Sequence, residues 1–228
     1  MPLPRPRGAT PSPRHELAAA SPHVIEGVAP AQFLRLPSKL SMWLNDVDGD
    51  CVTAEEAFKV ACMNPEVFIT DSTVQVWASA RGVLNGAVIS GVLYMMHKWG
   101  FEQGGVNYGD GDKHGIDWTN APLLQNAIWK SPVKFGVAGD QLEYAVPSPP
   151  SNGWLATGFQ QDTNEDHCVS LSGYGPISWL ASQLGTQIDS NAPGYALFTW
   201  SSVGIIDVPS MLAITGEAWI RSPGTVIR

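Results

Sequence analysis

The sequence predicts an α+β fold, in which a mostly helical first half is followed by a mostly antiparallel second half. Apolar residues recur at helical spacing between residues 54 and 130, whereas the segments after residue 133 are short, β-prone and separated by Gly, Pro, Ser and Asn. With 228 residues, of which 44% are hydrophobic, the chain is long enough to bury a sizeable core. Its 23 Gly and 18 Pro indicate many turns and loops.

Helix and strand patterns place the individual elements. Helices are predicted from residue 50, from Asp71 or Ser72 to Gly82, over about 86–98, and from a cap at Asn120. Between the last two lies a Gly/Asp-rich loop over 101–119. Strands are predicted over 133–137, 142–146, 168–173, 195–200 and 217–221.

Residues 1–35 are predicted to form an N-terminal arm before a domain at 36–228, with a mainly helical lobe at 36–130 and a mainly β lobe at 131–228. The arm has five prolines within its first 13 residues, and Arg5, Arg7 and Arg14 precede its first acid, Glu16. Such a stretch builds no core and is expected to be extended. A disordered tail and a segment held by a partner or a neighbouring copy both remain open.

Composition excludes several classes of function. The 13 basic residues face 21 acidic ones, for a net charge of −8, so nucleic-acid binding through bulk charge is not expected. No apolar run reaches the ~18 residues of a membrane span, and no apolar stretch of a signal peptide follows the basic N-terminus. Three cysteines without a Cys-x-x-Cys pair argue against a disulfide framework or zinc ribbon and fit a reducing compartment such as the cytoplasm. Phosphate-loop and serine-hydrolase motifs are missing, so no cofactor is expected.

A cysteine at the start of an amphipathic helix is the first candidate for chemistry. If Asp50 is the N-cap, Cys51 takes the first helical position, where the helix dipole favours a thiolate. Alternatively, Thr53 and Glu56 form a capping box, and the helix then starts two residues later and leaves Cys51 outside it. Three nearby aspartates disfavour a thiolate, so activation of the thiol requires a base.

His167, which opens a predicted strand, is the candidate base. An imidazole at this position can lie against a thiol on a facing helix and form a thiolate–imidazolium pair. Taken alone, each residue has a simpler explanation, because a buried cysteine packs as a small hydrophobe and a strand histidine is commonly a satisfied polar residue. The chemistry therefore depends on whether Cys51 and His167 meet.

Two segments, Gly-Asp-Cys51 before a helix and Asp-His167-Cys-Val-Ser-Leu-Ser-Gly-Tyr-Gly, resemble the papain-like cysteine peptidase superfamily, over roughly residues 36–222. The resemblance implies a two-lobed fold with a helical lobe and a small antiparallel β-barrel lobe. It implies Cys51 as the nucleophile, His167 as the base, and Asn45 with the Cys51 amide as the oxyanion donors. A peptide or amide substrate follows from it, with hydrolysis as the reaction. The Asn-Asp-x-x-Gly-Asp-Cys motif is also similar to that of uncharacterised papain-like proteins from bacteria and their phages.

The residue that would orient the imidazole departs from the family pattern. Where the family has Asn-Ser-Trp, this chain has Thr199-Trp200-Ser201. Thr199, Ser201 and Asp207 are candidates to accept the imidazole N–H, and Trp200 is a candidate wall of the site. Without an orienting group the tautomer is less controlled and catalysis weakens. The N-terminal extension is also shorter than the inhibitory prodomain of secreted papains.

A non-catalytic role is the alternative prediction. The same fold can serve as a structural or interaction module, for instance a virion-associated phage protein whose arm contacts neighbouring subunits. The missing Asn and the acids around Cys51 favour this alternative. A short distance between the thiol and the imidazole over an open cleft would favour the enzyme, whereas burial of that cleft by another chain or by the arm would favour the structural role.

Two further patterns in the sequence do not predict a function. The segment Asp46-Val-Asp48-Gly-Asp50 imitates a calcium loop, but Cys51 and Ala57 stand at the sixth and twelfth positions, where the loop needs Gly and an acid, so no metal is predicted. The tryptophans share no spacing, and packing explains them better than a carbohydrate platform does.

Overall fold

The computed structural model describes residues 5–222 and the strand at 226–227, without the side chains of the latter. The first four residues of the predicted arm, and residues 223–225 and 228 of the predicted domain, lie outside the described residues. Eight helices are described: α1 (Arg14–Ala19), α2 (Cys51–Ala61), α3 (Asp71–Arg81), α4 (Ile89–Trp99), α5 (Ala121–Lys130), α6 (Asp140–Ala145), α7 (Ile177–Gln183) and α8 (Val208–Ile214).

Thirteen short strands are interleaved with these helices in the described part of the chain. They are β1 (Ala9–Thr10), β2 (Phe33–Leu34), β3 (Ala87–Val88), β4 (Phe101–Gln103), β5 (Val106–Tyr108), β6 (Lys113–Gly115), β7 (Val133–Val137), β8 (Leu155–Ala156), β9 (His167–Pro176), β10 (Pro193–Thr199), β11 (Ser202–Asp207), β12 (Thr215–Arg221) and β13 (Val226–Ile227).

The main sheet has the strand order β6-β12-β7-β9-β10-β11-β8, and β2 also pairs with β9. All of its neighbouring strands are antiparallel except β8, which runs parallel to β11. No closed barrel is detected among the described residues, because the sheet ends on one side at the three-residue β6 and on the other at the two-residue β8. Helix and sheet are therefore mixed as predicted, but the small barrel lobe is not seen as a closed barrel.

Two hydrophobic cores lie on the two faces of this sheet. The first joins α2, α3 and α4 to one face and includes Cys168 and Phe198, whereas the second joins α5 and α8 to the other face and includes Val169 and Leu197. Neighbouring residues of β9 and β10 thus enter different cores, because successive side chains of a strand point to opposite faces. A stacked pair, Phe58 and Phe198, with ring centroids 4.0 Å apart, fixes α2 against the first face.

Helix α2 is the centre of the molecule, since all eleven of its residues are buried. Two of its three Glu and Lys side chains, Glu56 and Lys59, form ion pairs with residues from elsewhere in the chain. Glu56 pairs with Lys134 of β7, and its second oxygen lies 3.7 Å from Nε of Arg221 of β12. Lys59 pairs with the buried Asp110. Buried charges require such partners because an unpaired charge in the interior is strongly destabilising.

Several predicted elements are confirmed. The predicted strand at 133–137 is β7, and the predicted helix from Asp71 is α3, which ends at Gly82 in the left-handed conformation with φ of 67°. The predicted strand at 142–146 is wrong, because these residues belong mainly to α6, of which only Leu142 is buried. The predicted loop at 101–119 contains the three short strands β4, β5 and β6.

The N-terminal arm packs on the domain of its own chain. Residues 9–10 pair in parallel with β3, and Arg14–Ala19 form helix α1, which the extended arm of the sequence prediction did not include. Ser12 is buried, donating its amide to Glu217 and accepting the amide of Ser90 on its hydroxyl. Hydrogen bonds therefore attach the arm to the domain at several of its residues. Among the described residues, no helix combines the length and the apolar character needed to cross a membrane.

Candidate active site

Cys51 is the first residue of α2, and Asp50 flanks it as the N-cap. This agrees with the first of the two helix starts that the sequence allows. The capping-box alternative is wrong, because Glu56 does not reach back to the helix start but pairs with Lys134 inside the protein. A buried partner for Glu56 could not be foreseen from local sequence, since Lys134 lies 78 residues away.

The Cys51 side chain is fully buried and neutral. Burial raises the pKa of its thiol to about 12, and the nearby Glu55 and Asp50 carboxyls add to this rise. The backbone amides of Gly8 and Cys168 act in the opposite direction, which places both beside the sulfur. Since Cys168 directly follows His167 in β9, the Cys51 thiol lies next to the start of the strand that carries the imidazole.

His167 is the first residue of β9 and is also fully buried. Its Nε2 lies 2.7 Å from Oγ1 of Thr199 on the neighbouring strand β10, whereas its Nδ1 has no hydrogen-bond partner among the described residues. Burial lowers the pKa of the imidazole to about 3, helped by the positive charges of Arg7 and Arg5. Thiol and imidazole are therefore both neutral in this structure, and no hydrogen bond joins them.

Trp200 covers the imidazole from one side. The two rings are stacked, with centroids 4.2 Å apart and planes inclined by 11°. Trp200 and Ser201 form the two-residue turn between β10 and β11, with φ of 42° and 57°. Type I′ hairpin turns require positive φ at both positions, where Asn and Gly are the usual residues. The stacking of its indole on His167 and the burial of its side chain stabilise Trp200 in this uncommon backbone conformation.

Of the three candidates to orient the imidazole, only Thr199 forms a hydrogen bond to it. Asp207 lies opposite Gly194, at the far end of the β10–β11 hairpin from Thr199. There it caps α8, accepting the amide of Ser210 at 2.8 Å and the hydroxyl of Thr157 at 2.6 Å. Ser201 is half-buried in the turn and makes no hydrogen bond to the histidine. Among the three alternatives the structure therefore favours Thr199, since neither Asp207 nor Ser201 forms a hydrogen bond to the ring.

Asn45, the predicted oxyanion donor, lies in the turn before α2. Its backbone amide donates to the carbonyl of Met42 at 2.9 Å, and its side chain is buried. The side-chain Oδ1 has no hydrogen-bond partner among the described residues. This unpaired oxygen is a hydrogen-bond acceptor, whereas an oxyanion would need the Nδ2 hydrogens of the same amide.

The N-terminal arm covers the Cys51 and His167 side chains. The indole Nε1 of Trp200 donates to the carbonyl of Pro6 at 3.5 Å, and the amide of Ala9 donates to the carbonyl of Asp166 at 3.0 Å. Between these two contacts, the Gly8 amide lies beside the Cys51 thiol. The arm therefore runs across the site and closes it to solvent, which explains why both side chains are completely buried.

The acidic segment before Cys51 is not arranged as a metal site. Asp46 is exposed, whereas Asp50 is buried and neither of its carboxyl oxygens has a hydrogen-bond partner among the described residues. Burial raises the pKa of Asp50 to about 8. Across the described part of the chain, no group of three or more His, Cys, Asp or Glu side chains is placed to hold a metal ion.

Comparison with solved structures identifies the fold. The chain is similar to xylellain, a cysteine protease from Xylella fastidiosa, with a TM-score of 0.65 over 97% of each chain at 11% identity. It is also similar to bromelain from Ananas comosus, with a TM-score of 0.60 over 85% of this chain and 99% of that one at 12% identity. The proform of the ragweed cysteine protease Amb a 11 gives 0.63 over 93% and 74% at 11% identity. The fold is that of the papain-like cysteine proteases. No protein-family model matches the sequence, and no curated protein does.

Sequence reasoning missed the part of the arm that contacts the site. Arg7 forms ion pairs with Asp140 and with Asp166, the latter at 3.0 Å. Gly8 lies between Gly49 and Gly86 of the domain. The arginines of a proline-rich arm facing an acidic domain were the available signal. Only the folded chain shows which acids they reach.

Proposed function

We propose that the protein is a latent papain-like cysteine hydrolase, a peptidase or amidase, in which Cys51 attacks the carbonyl carbon and His167 transfers the proton. The observation that carries this proposal is the position of the Cys51 thiol, at the first residue of α2 and beside the start of β9, within a fold similar to cysteine proteases. Thr199 takes the place of the family's orienting Asn, because its hydroxyl engages Nε2 and leaves Nδ1 without another partner.

The roles of the remaining residues follow from their positions. Hydrolysis would pass through a tetrahedral oxyanion, for which the Cys51 amide at the start of α2 and the buried Asn45 side chain are the proposed donors. Trp200 would shield the imidazolium from water, since its ring lies directly over His167. Protonation of the imidazole by the thiol requires release of the arm, because burial now favours the neutral form of both groups.

A structural or interaction role is the second candidate, and the arm favours it. The cleft at Cys51 is filled by residues of the chain itself, as expected for a fold kept for assembly rather than for catalysis. A bacterial or phage origin, with virion-associated or cytoplasmic location, belongs to this candidate. The two candidates differ in one respect, which is whether Cys51 becomes reactive when the arm is loosened.

Labelling with E64, the inhibitor bound in the bromelain structure, tests the proposal. We compare the natural chain, the Arg5→Gln/Arg7→Gln double variant and the double variant carrying Cys51→Ala as well. The double variant removes the ion pairs of Arg7 and the guanidinium hydrogen bonds of Arg5, and it leaves the residues around the thiol intact. We expect it to be labelled at Cys51 at least tenfold faster than the natural chain and to cleave unfolded casein.

The third protein measures background labelling at Cys62 and Cys168, which are buried as well. If the double variant is labelled no faster than its Cys51→Ala counterpart and does not hydrolyse casein, the hydrolase proposal is wrong. The structural role then becomes the better explanation of the fold.

A further inference from the structure

Gly8 of the arm passes through a gap that has no room for a side chain. A Cβ atom built on Gly8 would overlap the carbonyl oxygen of Gly49 and lie 2.9 Å from Cα of Gly86. Both obstacles are backbone atoms, which cannot move aside as a flexible side chain can. The carbonyl of Gly8 accepts the amide of Ala87 at 2.8 Å, so the backbone is held in the gap as an added strand.

The residue before Gly8 lies among acids of the domain. Arg7 pairs with Asp140 and Asp166, and its second nitrogen lies 3.9 Å from Glu143. Its side chain is only 20% exposed. Three carboxyl groups from two separate segments therefore surround one guanidinium. Such a cluster fixes the position of the arginine more firmly than a single exposed ion pair does.

The aliphatic part of Arg7 needs a glycine on the domain side. A Cβ atom on Gly139 would lie 2.8 Å from Cδ of Arg7 and 2.8 Å from Cβ of His167. The amide of Gly139 meanwhile donates to Asp166 at 2.9 Å, which positions that carboxylate toward the arginine. Arg7 and His167 therefore both pack against Gly139, so the arginine position lies near the imidazole and the glycine position beside the thiol.

We infer that the cleft at Cys51 binds extended peptides in which arginine directly precedes glycine, and that the arm fills it with a segment of this kind. Gly49 and Gly86 select glycine by excluding any Cβ, and Asp140, Glu143 and Asp166 select the basic residue. As a substrate class this inference rests on the proposed function, whereas as a statement about binding it does not need catalysis.

Arg5 contributes a second basic contact on the same side. Its amide donates to Glu143 at 2.9 Å, its guanidinium donates to the carbonyl of Pro147 at 2.7 Å, and the guanidinium carbon lies 5.2 Å from the centre of the Trp200 ring. The preferred peptide therefore has the form Arg-x-Arg-Gly, with the first arginine over the indole.

The test measures binding of a fluorescent peptide, Arg-Pro-Arg-Gly-Ala-Thr-Pro-Ser, which copies residues 5–12, to full-length protein. Fluorescence anisotropy is recorded with the natural chain, with the Arg5→Gln/Arg7→Gln variant, and with a Gly8→Ala variant whose arm no longer fits the gap. We expect both variants to bind the peptide at least tenfold more tightly than the natural chain, whose cleft is already filled. A Gly91→Ala chain is the control, because a Cβ there meets nothing closer than 3.8 Å.

Altered peptides test the selectivity. Alanine in place of the glycine should weaken binding to the variants at least tenfold, and glutamine in place of the second arginine at least fivefold. Alanine in place of the threonine should have no effect, because Thr10 is exposed. The inference is overturned if the alanine and glutamine peptides bind the variants as tightly as the natural sequence does. It is also overturned if the natural sequence binds to neither variant. Selective peptide binding without any E64 labelling of Cys51 supports the inference and contradicts only the proposed hydrolase.

Discussion

The hydroxyl of Thr199 lies 2.7 Å from Nε2 of His167, on adjacent antiparallel strands and with both side chains fully buried. The antiparallel pairing of β9 with β10 brings the two residues together. The tight turn at Trp200 and Ser201 follows Thr199 directly. In the proposed site this hydroxyl takes the role that the resemblance assigns to a carboxamide. The contact has consequences for stability that do not depend on any catalytic activity.

Replacing Thr199 by valine should lower the free energy of unfolding by about 1–3 kcal/mol, because a buried imidazole nitrogen loses its hydrogen-bond partner while the side-chain volume is kept. Urea unfolding at pH 7.5 measures this. Thr199→Ser keeps the hydroxyl and should lose markedly less. If Thr199→Val leaves the free energy of unfolding unchanged while Thr199→Ser lowers it, the hydrogen bond contributes nothing and only the packed methyl group stabilises this position.

Stability should fall as the solution is acidified between pH 6.5 and 3. Burial holds the pKa of His167 at about 3, below its ordinary value of 6.5, so in this range the unfolded chain binds a proton that the folded chain does not. The contribution is therefore intact above pH 6.5 and is lost as the pH falls toward 3, by at most about 1.4 kcal/mol per pH unit.

The comparison that isolates this effect is His167→Gln, which cannot titrate. The free energy of unfolding of the natural chain minus that of the variant should fall steadily from pH 6.5 to 4. A difference that stays constant over this interval would mean that the imidazole is solvated in the folded protein.

Glu165 should have the opposite pH dependence. Burial, together with the neighbouring carboxyl of Glu217, raises its pKa to about 9 from an ordinary value of 4.5. A raised pKa means that the folded chain holds a proton that the unfolded chain loses, so the stabilisation is complete below pH 4.5 and is lost as the pH rises toward 9. Glu165→Gln, which remains neutral, should gain stability relative to the natural chain between pH 5 and 9.

Chemical unfolding at pH 5, 7 and 9 follows this change. Glu102→Gln, at an exposed position, is the matched control and should shift stability equally at the three pH values. A Glu165→Gln curve parallel to that of the natural chain would show that the buried carboxyl is ionised throughout.

Lys134→Met should cost about 3–5 kcal/mol of the free energy of unfolding, because it leaves the buried carboxylate of Glu56 without its closest partner. Lys134 also donates to the carbonyl of Val52 at 2.7 Å, in the first turn of the helix that carries Cys51. Lys130→Met removes an exposed lysine instead and should change stability by about 0.5 kcal/mol or less. Similar losses for the two variants would show that the buried pair is balanced by its own desolvation.

Local sequence patterns carried a good part of the fold. Helix α3 was predictable because its boundary residues, Thr70 with Asp71 at the start and Gly82 at the end, act through hydrogen bonds and conformations within one turn of the helix. Strand β7 was predictable because the β-prone residues Val133, Phe135 and Val137 alternate along it. Residues 142–146 misled the prediction, since a short apolar stretch with one buried leucine reads equally as strand or as helix.

The sequence by itself determined the mixed helix and sheet plan, the candidate pair Cys51 and His167, and the likeness to papain-like peptidases, because these depend on residue types at short range. Only the tertiary structure decided that Thr199 rather than Asp207 faces the imidazole, since strand register selects which side chains meet. It also placed Arg7 and Gly8 over the site, and the reason is the same. These contacts join residues more than 40 positions apart, and their energy depends on burial and on neighbouring charge, which no local pattern contains.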